Sequence, residues 1–192
     1  MYKQFFSDDN VNLMTELRNL IESLPRTKFN ALIRESSLSC SYVHCILNPI
    51  FTSPENSTHL IWLNTQTVKE SDKQPGFVGN TLVGSQFEGP VVVGDVEGED
   101  RKSDTNPCLL DLIRIGILSG YDGVIGVHVV GVQQTCYIVS LMGCGVYIML
   151  ELCTITLPKD FTEIRSHRSN HEELKKNDEF PHIQDHYRMG HP

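Results

Sequence analysis

The chain has 192 residues, 40% of them hydrophobic and 21% charged, and its mean hydropathy is -0.20. This length and composition predict one compact domain with tails and exclude a wholly disordered, collagenous or coiled-coil chain. With 16 basic against 24 acidic residues the formal charge is -8. A broad surface that coats nucleic acid is therefore disfavoured, because phosphate binding needs clustered Lys and Arg.

The first predicted element is a helix at the start of the chain. Apolar residues recur at helical spacing from Val11 to Leu24, Asp8 or Asp9 can cap the helix, and Pro25 ends it. We expect this helix to be peripheral.

A second helix is predicted after Thr27, which can serve as its N-cap. One apolar face runs from Phe29 to Leu47, and Asn48-Pro49 should stop the helix. We expect that face to meet a sheet.

From Leu60 the sequence changes to short runs that favour strands, separated by turn residues. A helix follows, with Asn106 as its cap, Pro107 at its first position and Gly120 after its end. The predicted strands on either side of this helix cover residues 60–63, 77–78, 91–93, 124–132, 134–141 and 145–157.

This order predicts an α/β (α+β) fold with a central mixed β-sheet flanked by helices. We divide the chain into a peripheral helix (1–25), an α/β core (26–158) and a polar, flexible tail (159–192). The tail carries His167 and His171 at i,i+4 spacing, but no apolar face surrounds them, so only adventitious metal affinity is expected.

The cysteines and the N-terminal segment predict an intracellular protein, cytoplasmic or nuclear. The six cysteines include no CxxC pair, most lie in apolar runs, and MYKQFFSDDN has no secretory pattern, so we expect reduced thiols. Residues 135–150 are apolar but short for a membrane span and contain Gly143 and Gly145. A β-hairpin, and no membrane contact, is the expectation.

The residues best suited to chemistry lie at the end of the third predicted strand. Alternation places Asp95 and Glu97 on one face, opposite Val96. Together with a third acid, Asp72 or Glu35, they would suit Mg²⁺, which prefers carboxylate oxygens completed by water. The alternative is a solvated strand end followed by an acidic loop.

The order of elements across residues 35–157 resembles PD-(D/E)xK nucleases, in which Pro-Asp opens the second strand and acid-x-Lys lies on the third. More narrowly, SDKQP (71–75), GDVE (94–97) and neighbouring segments resemble uncharacterised fungal proteins that read SDKRPD and GEVK. The resemblance implies a restriction-endonuclease-like αβββαβ core with a C-terminal β-meander. It also implies Mg²⁺-dependent cleavage of DNA or RNA in intact relatives.

Within this resemblance Glu35 and Asp95 would be metal ligands. Gly76 stands where the Pro-Asp aspartate belongs, and Glu97 stands at the position of the catalytic lysine. That lysine positions the nucleophilic water and stabilises the phosphorane, so a carboxylate there has the wrong sign. Asp72 is a distant substitute for the lost aspartate, and Glu97 is at most an additional ligand.

Two functional hypotheses remain open from the sequence. The first is a degenerate PD-(D/E)xK nuclease-like protein, descended from a mobile-element or host-encoded nuclease, whose phosphodiester cleavage is lost or feeble and whose only cofactor would be Mg²⁺. The second is a non-enzymatic interaction module whose acidic loop, Glu97–Asp100, meets a basic protein partner. Nucleic acid as a partner is disfavoured by the acidic charge.

Overall fold

A computed structural model of the chain describes residues 9–53, 57–63, 75–101, 123–142 and 146–169. Helix α1 spans Asp9–Ser23, and one continuous helical stretch consists of α2 (Glu35–Leu38), a π-helical turn (Ser39–Val43) and α3 (His44–Phe51). The strands are β1 (Thr58–Trp62), β2 (Phe77–Val83), β3 (Gln86–Glu97), β4 (Val124–Val130), β5 (Gln133–Met142) and β6 (Val146–Thr156).

The strands form one six-stranded mixed sheet in the order β1-β2-β3-β4-β5-β6. All neighbouring strands are antiparallel except β3 and β4, which are parallel. The predicted α/β class with a mixed sheet is confirmed, as is the hairpin of β5 and β6. The helix predicted between Asn106 and Gly120 lies outside the described residues. Within the described ranges, no helix combines the length and apolar character that a membrane crossing requires.

The core lies between the helices and one face of the sheet. Val92 and Val96 of β3 and Val127 and Val129 of β4 are at most 1% exposed. They belong to one buried cluster with residues of the helices and with Leu24, which follows α1 directly; the helical residues are Leu20, Leu38, Val43, Ile46, Leu47 and Phe51. Burying each such side chain contributes about 1.5–3 kcal/mol. Because Leu20 and Leu24 are in this cluster, α1 is part of the core, and its predicted peripheral position is wrong.

The second helix begins at Glu35, later than the prediction from Thr27. The intervening backbone is held by carboxylates from distant segments: Phe29 N donates to Asp160 Oδ2 and Ile33 N donates to Glu99 Oε2, both at 2.9 Å. These tertiary hydrogen bonds satisfy donors that a helix would otherwise use. At the other end, Pro49 is inside the last helical turns and does not stop the helix.

The chain beyond residue 158 packs against the domain further than predicted. A 3-10 turn spans Phe161–Glu163, residues 164–169 are helical, and His167 is only 2% exposed. His167 Nδ1 lies 3.0 Å from the carbonyl oxygen of Thr156, and Nε2 lies 2.9 Å from Glu16 Oε1. This buried pair connects the C-terminal helix to both α1 and the end of β6, which the polarity of the segment concealed.

We expect His167→Ala to lower the free energy of unfolding by about 3 kcal/mol, because it removes the imidazole that contacts the buried Glu16 carboxyl group and the Thr156 carbonyl. Urea denaturation measures the change. Arg18→Ala is the control: Arg18 and Glu22 form an exposed pair, with side chains 78% and 64% exposed, worth about 0.5 kcal/mol. Equal effects of the two substitutions would contradict the assigned role of the buried pair.

Asp160 should make the fold sensitive to acid. Hydrogen bonds from Thr162 and from the Phe29 backbone hold the Asp160 pKa below its usual 3.8. The ionised carboxylate therefore stabilises the fold above about pH 3.8, and this contribution is lost as the pH falls through the lower folded-state pKa.

We expect the difference in unfolding free energy between wild type and Asp160→Asn to be constant near neutral pH and to shrink below pH 3.8. Urea midpoints over a pH series test this, with the exposed Asp100→Asn as control. A difference that is the same in acid as at neutral pH would refute it.

Candidate functional site

The predicted acidic residues lie on the sheet face opposite the helical core. Val92 and Val96 face the helices, so alternation along β3 directs Asp95 and Glu97 to the other side. Asp95 Oδ1 accepts a hydrogen bond from its own strand neighbour, Val96 N, at 2.9 Å. Glu97 is only 8% exposed. The two carboxylates therefore share a face, as predicted.

Gly76, the residue directly before β2, lies beside Asp95 of β3. The register pairs Phe77 with Gly94, and a Cβ added to Gly76 would lie 2.9 Å from Asp95 Oδ1. A side chain at position 76 would thus meet the Asp95 carboxylate directly. Gly94, on the opposite face, leaves room for the Phe77 ring, which a Cβ added at position 94 would overlap.

His128 extends this row of polar residues onto β4. The parallel register pairs Asp95 with His128, and His128 is 6% exposed. Neighbouring strands are about 4.8 Å apart, and paired residues share a face, so the imidazole and the carboxylate are neighbours. Further along the row, Thr135 Oγ1 and Thr154 Oγ1 are 2.9 Å apart. The apolar sequence around His128 does not indicate this position, because only the strand register, which periodicity does not reveal, places His128 beside Asp95.

The Glu35 backbone lies on the helix-facing side of the sheet. Its backbone N lies 2.7 Å from the position of a Cβ added to Gly98. Gly98 alternates with Glu97 and so faces the helices, whereas Asp95 faces away from them. A metal site shared by Glu35 and Asp95 stays a prediction, and the two acids approach it from opposite faces. Asp72 lies outside the described residues.

Among the described residues, no group of three or more His, Cys, Asp or Glu side chains is arranged to hold a metal ion. A Mg²⁺ site would therefore rest on Asp95 and Glu97 with water, or on groups outside the described ranges.

The acidic loop after β3 is turned inward. Glu99 is 12% exposed and binds Lys159 Nζ at 2.9 Å, while its Oε2 also accepts the Ile33 backbone N–H. Tyr42 donates to the Lys159 carbonyl at 3.3 Å, and burial, followed by the charges of Glu99 and Asp160, raises the Tyr42 pKa. This loop therefore stabilises the fold and offers little acidic surface to a partner.

Comparison of the chain with protein-family models, with curated proteins and with solved structures gave no match. The interpretation of the site therefore rests on its own residues and geometry.

A histidine at the helix–sheet contact gives the fold a pH-dependent probe. Trp62 of β1 donates its Nε1–H to His44 Nδ1 at 3.0 Å, and the Trp62 and Phe77 ring centroids are 5.0 Å apart. His44 can accept this hydrogen bond only when Nδ1 is unprotonated. Burial lowers the His44 pKa below its usual 6.5.

We expect the neutral form of His44 to stabilise the fold above pH 6.5, and this stabilisation to be lost as the pH falls from 6.5 through the lower folded-state pKa. The only tryptophan in the chain, Trp62, reports the change. Its emission should change reversibly on acidification of the folded protein. In His44→Gln, whose amide oxygen can still accept the indole N–H, the emission should not change. An identical acid response in both proteins would contradict this assignment.

Proposed function

We propose that the chain is a degenerate PD-(D/E)xK nuclease-like protein, with a scaffold related to Mg²⁺-dependent nucleases and with phosphodiester cleavage lost or feeble. One observation supports the proposal above all: Gly76, the residue before β2, lies beside Asp95, and alternation along β3 places Glu97 on the same face as Asp95. The resemblance implies that the Pro-Asp and acid-x-Lys residues lie close together in this way. The resemblance is one of motif and topology.

The strand order supports this proposal. A helical stretch precedes an antiparallel β1-β2-β3 meander, and β4 then pairs in parallel with β3. Parallel neighbours need a crossover connection, which residues 98–123 must supply. The described elements are compatible with the αβββαβ order expected from the resemblance, whose second helix would fall outside the described residues, and β5 and β6 continue the sheet beyond β4.

The substitutions at positions 76 and 97 explain why little activity is expected. Gly76 removes a metal ligand beside Asp95. Glu97 replaces a cation with an anion, and at 4 Å and an effective dielectric near 20 each unit-charge interaction is worth about 4 kcal/mol. Loss of a single electrostatic donor commonly lowers the rate by about 10²–10³. With both changes present, Asp95 and Glu97 together would retain a divalent cation only weakly.

The interaction-module hypothesis has less support. Its acidic loop was to meet a basic partner, yet Glu97 is buried and Glu99 is paired with Lys159. The remaining exposed acid of that loop whose side chain is described is Asp100. A single exposed carboxylate is a weak docking determinant.

The double variant Gly76→Asp/Glu97→Lys tests the proposal, because it restores both missing groups. We expect Mg²⁺- or Mn²⁺-dependent cleavage of DNA or RNA that exceeds the wild-type rate by about 10²-fold or more. Gel assays on plasmid DNA, single-stranded DNA and RNA measure this rate. Asp95 Oδ1 must move by a fraction of an ångström to admit the new aspartate, which a side chain can do.

The matched control adds Asp95→Asn to the double variant and should abolish the recovered cleavage. Thermal melting of each variant shows whether it remains folded. A folded double variant that cleaves none of the three substrates with either metal would overturn the assignment of these positions.

A further inference from the structure

Two cysteines face each other across the β5–β6 hairpin. The antiparallel register pairs Cys136 directly with Cys153, and both thiols are reduced. Directly opposed residues have Cα atoms about 4.5–5.5 Å apart. A disulfide needs about 4.4–6.8 Å, so the strand pairing brings the two Cα atoms within the range for a disulfide.

The thiol groups are in contact. Cys136 makes a side-chain hydrogen bond with Cys153, and this bond, followed by burial, raises the Cys136 pKa well above its usual value. Each of the two residues keeps part of its surface exposed to solvent. Their contact distinguishes them from Cys40 and Cys45, which lie on the same helical stretch, one exposed and the other buried.

A buried side-chain amide forms a hydrogen bond with one cysteine of this pair. Gln134 is 2% exposed on the helix-facing side of the sheet, and its Nε2 donates to Cys136 Sγ at 3.9 Å. Its Oε1 is buried and has no hydrogen-bond partner in the described part of the chain. A polar side chain is costly among apolar residues unless it is satisfied. Gln134 therefore gives the sulfurs a polar environment that the apolar core would not provide.

The strand is irregular at this point. Cys136 pairs with Cys153, but Tyr137 pairs with Glu151, which leaves Leu152 as a bulge residue. Bulges allow a local change of twist, so the two strands can adjust as the sulfurs approach each other.

We propose that Cys136 and Cys153 form a reversible cross-strand disulfide by exchange with a low-molecular-weight disulfide, which makes the β5–β6 hairpin a thiol-oxidation site. The site is independent of the proposed nuclease ancestry. Apart from the core face that it shares with Val127, it uses none of the residues discussed above.

The exchange proceeds in two balanced steps. One cysteine of the pair, as its thiolate, attacks the oxidant, which forms a mixed disulfide and releases one thiolate; this thiolate takes up the proton that the cysteine lost. The other cysteine then gives up its proton and displaces the second reagent molecule, as a thiol, from the mixed disulfide. Two protein thiols become one disulfide, and one oxidised reagent becomes two reduced molecules.

The bond should also be easily reduced. Opposed Cβ atoms in a sheet are about 4.5–5.5 Å apart, whereas a relaxed disulfide holds them at about 3.5–4.5 Å. Closing this gap strains the bond, and strained disulfides are labile and reduced more readily than structural ones.

Treatment of the folded, full-length chain with oxidised glutathione tests the site. We expect intact mass spectrometry to show the loss of two hydrogens, and peptide mapping without reductant to identify a Cys136–Cys153 crosslink that forms at a rate independent of protein concentration. Excess reduced glutathione should remove the crosslink. Cys40→Ser/Cys45→Ser should retain it, whereas Cys136→Ser and Cys153→Ser should each give only a glutathione adduct.

Oxidation of the wild type provides a result that does not depend on whether a variant folds. A crosslink between any other pair, a bond between two chains, or glutathione adducts alone on the wild type would overturn the proposal. A Cys136–Cys153 bond that persists in excess reduced glutathione would also overturn it, since the bond would then be structural rather than reversible.

Discussion

The parallel pairing of β3 with β4 is the constraint on which the rest of the structure depends. It aligns Val92 with Ile125 and Val96 with Val129, so that both strands present apolar side chains to the same layer of helices. The same register aligns Asp95 with His128 on the opposite face. A shift by one residue would exchange the two faces and bury the carboxylates in the core, so hydrophobic burial fixes the position of the polar row.

Several acidic residues that a reader of the sequence would assign to a surface or a site instead hold distant segments together. Glu99 connects the end of β3 to Ile33 and Lys159, and Asp160 accepts hydrogen bonds from Phe29 and Thr162. Glu16 of α1 shares a hydrogen bond with His167 of the C-terminal segment. Several of the acids counted in the net charge of -8 are therefore buried or bound inside the fold rather than displayed on its surface.

Local patterns predicted the elements but not how they are connected in space. Val91 to Val93 and the apolar run after Gln134 indicated strands, and both lie within observed strands, because β-branched residues suit a half-buried pleated surface. The segment after Thr27 indicated a helix but is held open by carboxylates located 66 and 131 residues away along the chain. Contacts at such separation leave no periodic signal. The polarity of the C-terminal segment misled in the same way, since contacts from Lys159, Asp160 and His167 bind it to residues far away in the chain.

In the candidate site, too, local patterns predicted some features, and long-range strand pairing determined the others. Alternation alone predicted that Asp95 and Glu97 share a face, and the register of β2 adds Gly76 to them. Residue spacing could not predict that His128 lies beside Asp95, because this depends on which strands pair. It also could not predict that Glu35 lies on the helix-covered face of the sheet, because this depends on which face the helix packs against. The nuclease proposal therefore depends mainly on the β2–β3 geometry.

The relative direction and register of β3 and β4 is the most direct point at which to test this account. Nuclear Overhauser contacts between backbone protons of residues 92–97 and 125–130 in the isotope-labelled protein measure it. The account predicts a parallel pattern that aligns Asp95 with His128. An antiparallel pattern, or a register that aligns Asp95 with an apolar core residue such as Val127 or Val129, would contradict it.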